Sequence, residues 1–305
     1  MRFLVVGAGA VGGYFGGRLQ EKGEDVTFLV REGRKKQLKE TGLVIESVHG
    51  NVTLNPKTII AGEEAGSFDV ILLSTKAYHL EGAMESITQY VGEETIILPL
   101  LNGILHIDKL VEMFGEERVI GGLCFIETTL DKNGRVIQTS EKHDLVYGER
   151  TGERSGRVLK IEDSFSGSSI AYRLSENINK DLWNKYLFIS TMSGITTLMR
   201  APIGPILEQV SGRATITQLL KEIVSVMNQI GAPLPNAIET LLLNQIDGLD
   251  YSMKSSMQRD MEKSLPVEAD HLHGYLLEIA RKEKISVPVL ESVYANLKVY
   301  EQLLK

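Results

Sequence analysis

The chain has 305 residues, enough for two domains at roughly 100–200 residues each. Hydrophobic residues make up 43% of it and charged residues 24%, a balance that excludes disordered, collagen-like and supercharged chains. Lys+Arg 33 against Asp+Glu 40 gives a net charge of −7, which argues against a nucleic-acid or anionic-membrane surface as main partner but leaves room for one local phosphate site.

Met1 and Arg2 precede an uncharged stretch, 3–17, that superficially looks like a signal peptide. It is too short to span a bilayer, and six glycines in fifteen residues would weaken a secretory apolar core. No other segment is long and apolar enough to cross a membrane. In chain order, short apolar or β-branched runs at 3–6, 26–30, 70–73 and 95–98 predict strands buried on both faces, as in a parallel sheet. Between them, 14–22, 34–40 and 80–90 suit crossover helices. The pattern turns β-rich over 43–60 and 119–148, with Asn133-Gly134 as a hairpin turn. Residues 155–169 read as one more helix and loop closing this half. From about residue 175 helical spacing takes over, at 178–198, 211–230, 235–246, 268–283 and 289–303. Six of the eight prolines punctuate that half at helix starts and turns. The expected fold is α/β: a Rossmann-type, doubly wound parallel sheet over 1–174, followed by an all-helical domain over 175–305.

Gly7-Ala8-Gly9-Ala10-Val11-Gly12 follows the first predicted strand and opens the first helix. In this G-x-G-x-x-G the first glycine permits a tight turn, the second lets a pyrophosphate approach the backbone, and the third lets helix and strand pack closely. The helix end then presents free N–H groups to the phosphates. A glycine-rich turn with no ligand is the bland alternative. The end of the second strand discriminates between cofactors, an acid favouring the ribose hydroxyl of NAD and an arginine the 2′-phosphate of NADP. Here Arg31 stands there, with Arg34, Lys35 and Lys36 close behind. Its planar fork can grip a phosphate or stack on adenine. Glu32 could serve the NAD role, and the basic cluster could be a plain solvated face, but NADP is favoured. Lys76 and Asn102 lie just beyond the next strand ends, where ligands of open α/β sheets collect. Each alone is an ordinary loop residue as readily as a ligand.

In the second half, Lys185 leads an almost wholly apolar run and shares a helix face with Ile189 and Ser193. Its ammonium either points into a polar cleft or snorkels to the edge. Glu268 heads a later helix, either as a first-turn carboxylate or as a functional group. His271 and His273, at i and i+2, fall on different helix faces and do not form a metal pair. The single cysteine, Cys124, allows neither an intrachain disulfide nor a four-cysteine zinc site and fits a reduced, cytoplasmic protein. No metal is expected, and no chemistry is assigned to Cys124.

The run G-A-G-A-V-G-G-Y-F-G from Gly7, Thr75-Lys76-Ala77, Leu101-Asn102-Gly103, Trp183-Asn184-Lys185, Ser255-Ser256-Met257, Glu268-Ala269-Asp270 and Gly274 resemble the ketopantoate reductases. These are the 2-dehydropantoate 2-reductases of pantothenate biosynthesis, and the likeness runs over nearly the whole chain in the same order. It implies NADPH-dependent reduction of ketopantoate to pantoate by an oxidoreductase. By motif, Lys185 matches the catalytic lysine. Ser256 and Glu268 match the site serine and glutamate, and Asn102 the asparagine near nicotinamide and substrate. Arg31 and Lys76 match basic residues of the cofactor site. In the implied reaction a hydride passes to the ketone carbon of a 2-keto acid while Lys185 supplies charge and a proton to the oxygen. Glu268 would orient that lysine or hold the nicotinamide ribose, and Ser256 and Asn102 would fix the substrate. The best-known members carry asparagines four and eight residues after the lysine, where this chain has Ile189 and Ser193, so Ser193 is kept as a substrate contact and the exact 2-keto acid stays open. A reductase of another 2-keto acid, or a nonenzymatic NADP-sensing protein on the same scaffold, are the rivals. The long C-terminal helices could bury a homodimer face.

Overall fold

A computed structural model describes residues 1–304 of the chain. The chain divides into two compact units: Met1–Leu101 with His106–Asn179, and Asn102–Leu105 with everything from Lys180 onward.

The first unit is built on β1 (Arg2–Val6), α1 (Ala10–Lys22), β2 (Asp25–Leu29), α2 (Glu32–Thr41), β3 (Leu43–Ser47), β4 (Val52–Leu54), β5 (Lys57–Ile59), β6 (Val70–Leu73), α3 (Leu80–Ile87) and β7 (Ile96–Pro99). It continues through α4 (Leu105–Phe114), β8 (Gly121–Leu130), β9 (Val136–Gly148), α5 (Gly156–Phe165) and β10 (Ala171–Leu174). A five-stranded, wholly parallel sheet runs in the order β5-β2-β1-β6-β7. Its strands are apolar throughout because both faces are covered. Phe3, Val5, Val70 and Leu72 join the core on the α1 face, while Leu4, Val6, Ile71 and Leu73 join the core that contains residues of α3 and α4.

A second sheet, β10-β9-β3-β4 with β8 paired to β9, lies against α1. The glycines of that helix make this layering feasible. A Cβ at Gly13 would lie 2.9 Å from Val136 of the second sheet, and one at Gly16 would lie 2.7 Å from Val5 and 2.8 Å from Phe28 of the first. The sequence predicts β-rich texture over these segments, but not that they close into one sheet. It also starts the first helix at 14, whereas α1 begins at Ala10, directly after the glycine turn.

In the second unit every regular element is helical: α6 (Ile178–Met199), whose first residues belong to the first unit, α7 (Ile203–Glu208), α8 (Val210–Gln229), α9 (Ile238–Asp247), α10 (Ser256–Glu262), α11 (Tyr275–Lys282) and α12 (Pro288–Leu303). A π-helical turn, Asp270–Gly274, leads into α11. Helix α8 packs against α7, α9, α11 and α12, and one apolar core gathers all of them. Helix α6 is buried on most sides yet carries many hydroxyls. Thr191, Thr196 and Thr197 donate to the carbonyls of Leu187, Met192 and Ser193, at 2.9, 2.7 and 2.6 Å, so these three hydroxyls are satisfied within the helix. No helix among the described residues is long and apolar enough to cross a membrane.

Candidate active site

The glycine loop begins where β1 ends. Gly7 adopts φ +91°, a conformation that favours glycine, and its N–H donates to Leu29 O at 3.0 Å. Gly9 caps α1 without a side chain, and no acidic residue occupies the helix's first turn. The first helical bond runs from Gly13 N to Gly9 O at 2.8 Å, so the N–H groups of Ala10, Val11 and Gly12 have no partner further back in the helix. A Cβ added at Gly9 would meet open space, whereas one at Gly12 would collide with Gly7 O and Ser74 Oγ. The three glycines therefore divide the work of a dinucleotide loop: a turn, an open approach, and a close contact. Thr75 adds a buried hydroxyl without a hydrogen-bond partner beside the loop. This cradle fits a pyrophosphate.

The basic residues behind the loop separate into different roles. Arg34 Nε donates to Ala8 O at 3.1 Å and its Nη1 to Gln37 Oε1 at 2.6 Å, and burial lowers its pKa. Lys35 is paired with Glu63 at 2.5 Å. Arg31 is exposed, and its guanidinium meets the His79 ring. Lys76 is half-buried at the start of the short 3₁₀ turn Ala77–His79. Sequence reasoning grouped Arg34 only with a basic cluster and passed over His79. The Arg34–Ala8 and Arg31–His79 contacts join residues 26 and 48 positions apart, which spacing does not reveal.

Asn102, Lys185, Ser193, Ser256 and Glu268 all belong to the second unit. Lys185 is only 6% exposed on α6, and Glu268 is also buried, just before the π-helical turn. That turn ties the candidate residues' elements together. Tyr186, next to Lys185, donates its hydroxyl to Leu272 O at 2.5 Å, and His273 Nε2 donates to Ser190 O at 2.9 Å. His271 Nε2 donates to Asn102 O at 2.8 Å, which anchors the strand-end asparagine to the same turn. The two histidines thus serve two different carbonyls. Among the described residues no group of three His, Cys, Asp or Glu could hold a metal. Cys124 is buried in β8. Ser193 is buried and its hydroxyl donates to Ile189 O in its own helix. Ser256 is exposed at the first position of α10. Its neighbour Ser255 caps that helix, accepting from Gln258 N at 3.1 Å, and is hydrogen-bonded to the Thr196 hydroxyl at 2.8 Å. The sequence reading did not single out Ser255 as a cap, and its tie to α6 joins residues 59 positions apart.

Burial pushes the pKa of His273 down to about 4, which keeps the ring neutral in the fold. An unfolded histidine titrates near 6.5, so between these values the unfolded chain binds the extra proton. The associated stability is complete above about pH 6.5 and is lost as pH falls toward 4, at up to about 1.4 kcal/mol per pH unit. Urea unfolding across this range should show a steeper acid loss for the native protein than for His273→Gln. Equal slopes would show that another group sets the acid limit.

Over residues 3–152 the chain matches the family described as Ketopantoate reductase PanE/ApbA, and over 177–301 it matches that family's C-terminal region. It is 50% identical over 301 residues to YkpB of Bacillus subtilis (strain 168), described as an uncharacterized oxidoreductase, covering 99% of each chain. The crystal structure of 2-dehydropantoate 2-reductase from Geobacter metallireducens GS-15 superposes with a TM-score of 0.88 at 28% identity, over 98% of this chain and 99% of that one. A D-mandelate dehydrogenase bound to NADH and anilino(oxo)acetate shares the fold, with a TM-score of 0.89 at 22% identity over 100% and 99% of the two chains. The chain belongs to the ketopantoate reductase PanE/ApbA family and is an oxidoreductase of that family.

Proposed function

We propose that this protein reduces a 2-keto acid to the 2-hydroxy acid at the expense of NADPH, with ketopantoate as the leading substrate. The observation that supports it best is the complete three-glycine cradle at the end of β1; in the other unit, Lys185 is only 6% exposed on α6. Residues 1–174 would form the NADP-binding domain and 175–305 the substrate domain. Gly7, Ala8, Gly9, Ala10, Val11 and Gly12 hold the pyrophosphate, Arg31 and Lys76 take further phosphate charge, and Asn102 and Glu268 take the nicotinamide end. A bound reduced nicotinamide supplies the hydride. Lys185 holds its proton at the substrate's carbonyl oxygen, where negative charge develops, and its burial strengthens that interaction. Asn102 is held in place through its own carbonyl by His271, which leaves its side-chain amide to orient substrate or ribose. Ser256, at the start of α10, presents its hydroxyl to the substrate carboxylate.

One observation favours a second substrate. On the Lys185 face of α6 the next two positions are Ile189 and Ser193, and the Ser193 hydroxyl donates to a backbone carbonyl. That face offers little to a substrate hydroxyl. Ketopantoate and 3,3-dimethyl-2-oxobutanoate share a carbon skeleton and differ by one hydroxyl, so their kcat/KM ratio decides. A site built around the hydroxyl favours ketopantoate by about 10⁴-fold or more, while an apolar pocket holds the difference to about 10²-fold or less. No turnover of either, with other 2-keto acids equally inert, would remove the proposed activity.

A further inference from the structure

Arg31 and His79 meet across the carboxyl end of β1. Arg31 follows β2, His79 lies in the turn after β6, and β1 runs between those two strands. Arg31 Nη2 is 3.4 Å from both His79 Nδ1 and His79 Nε2. In the ring plane that position would run into the carbon between the two nitrogens, so the guanidinium lies over the face of the imidazole. Both side chains are exposed, beside the point where the glycine loop leaves the sheet. Two neighbouring cations are engaged, Lys35 by Glu63 and Arg34 by Ala8 O and Gln37. Arg31 makes no ion pair among the described residues, with neighbouring Glu32 or any other carboxylate. The His79 ring has Tyr78 edge-on at 4.7 Å and Lys76 at the start of its turn, and the Arg31 charge disfavours its protonated form.

A guanidinium without a counter-ion, laid on an imidazole, suits a compact dianion that can contact both, such as a phosphate monoester. On the reading that the glycine loop binds NADP, that group is the 2′-phosphate of the adenosine. We propose that Arg31 and His79 form one clamp for this phosphate, His79 taking up a proton from solvent as it binds, so that His79 makes the preference for NADP over NAD depend on pH. This rests on the NADP reading. In the free protein, partial burial and then Arg31 hold the His79 pKa below its ordinary value, so the ring is neutral at pH 7. A dianion reverses the sign of the local field and favours the imidazolium. NAD carries a hydroxyl there and leaves the ring neutral.

Fluorescence titration of the native, Arg31→Ala and His79→Gln proteins with NADPH and NADH tests this between about pH 6 and 8. Calorimetry in buffers of different ionisation enthalpy reads the proton count. The native preference for NADPH should fall roughly tenfold from pH 6 to 8, with about half a proton taken up per NADPH near pH 7 and none per NADH. In His79→Gln the preference should persist but stay level within about twofold, with no uptake. Arg31→Ala should lose the preference at every pH. If Arg31→Ala keeps it, or the native protein prefers NADH, the NADP reading fails and the clamp with it. If Arg31→Ala loses the preference while His79→Gln keeps native pH dependence and proton uptake, the clamp is wrong and the NADP reading stands.

Discussion

Replacing Lys185 with alanine is expected to lower kcat by about 10²–10⁴-fold while leaving NADPH affinity within about twofold of native. Lys185 lies on α6 in the helical unit, whereas the glycine loop that would take the nucleotide is in the other unit. In the proposed role, what disappears is the donor for a carbonyl oxygen that gains charge only as the hydride arrives, an interaction stronger in the transition state than in the ground state. Lys185→Met keeps the stem's volume and separates lost charge from lost packing in this buried site. Equal loss in both variants assigns the effect to the ammonium. Near-native turnover in Lys185→Met would remove the lysine from the chemistry.

The second large effect distinguishes two glycines of one loop. Gly9→Ala puts a methyl into open space, so folding stability should change by less than about 0.5 kcal/mol while NADPH binding weakens by about 100-fold, because the methyl occupies the approach of the pyrophosphate. Gly12→Ala drives a methyl against Gly7 O, Ser74 Oγ and Val5, and Gly7 O, a backbone atom of the turn, cannot move without disturbing it. It should lose about 1–3 kcal/mol of stability in addition to binding. Thermal unfolding of both variants, with nucleotide titration of each, checks the split. A Gly9→Ala protein that binds NADPH normally would mean that the open face of the loop is not where the phosphates come.

How far the sequence shows these features depends on whether each requirement is local. The glycine loop was legible because Gly7 and Gly12 answer backbone constraints within one turn and its two flanking elements. The parallel strands were legible because burial on two faces leaves continuous apolar runs such as Phe3-Leu4-Val5-Val6. The second sheet was not, since β3, β9 and β10 come from different segments and β10 is a strand of only four residues at the sheet's edge. Its presence does explain the glycines of α1 beyond the nucleotide motif: Gly13 faces the second sheet and Gly16 the first. In the candidate site, α6 and its apolar run were legible, and with them the position of Lys185. The bonds that organise the rest join residues far apart: Asn102 and His271 are separated by 169 positions, Arg31 and His79 by 48. No periodicity records such pairs. Ser193 was singled out by its place on the Lys185 face, and the bond its hydroxyl donates to Ile189 O within α6 is a detail that spacing does not show.

The most direct test of the proposed activity follows NADPH oxidation by the native protein with ketopantoate, 3,3-dimethyl-2-oxobutanoate and larger 2-keto acids, quantifying the 2-hydroxy acid formed. The expected result is one 2-hydroxy acid per NADPH consumed with at least one of them, NADPH outperforming NADH, and the rate collapsing in Lys185→Met. Tight NADPH binding with no oxidation by any 2-keto acid would contradict it.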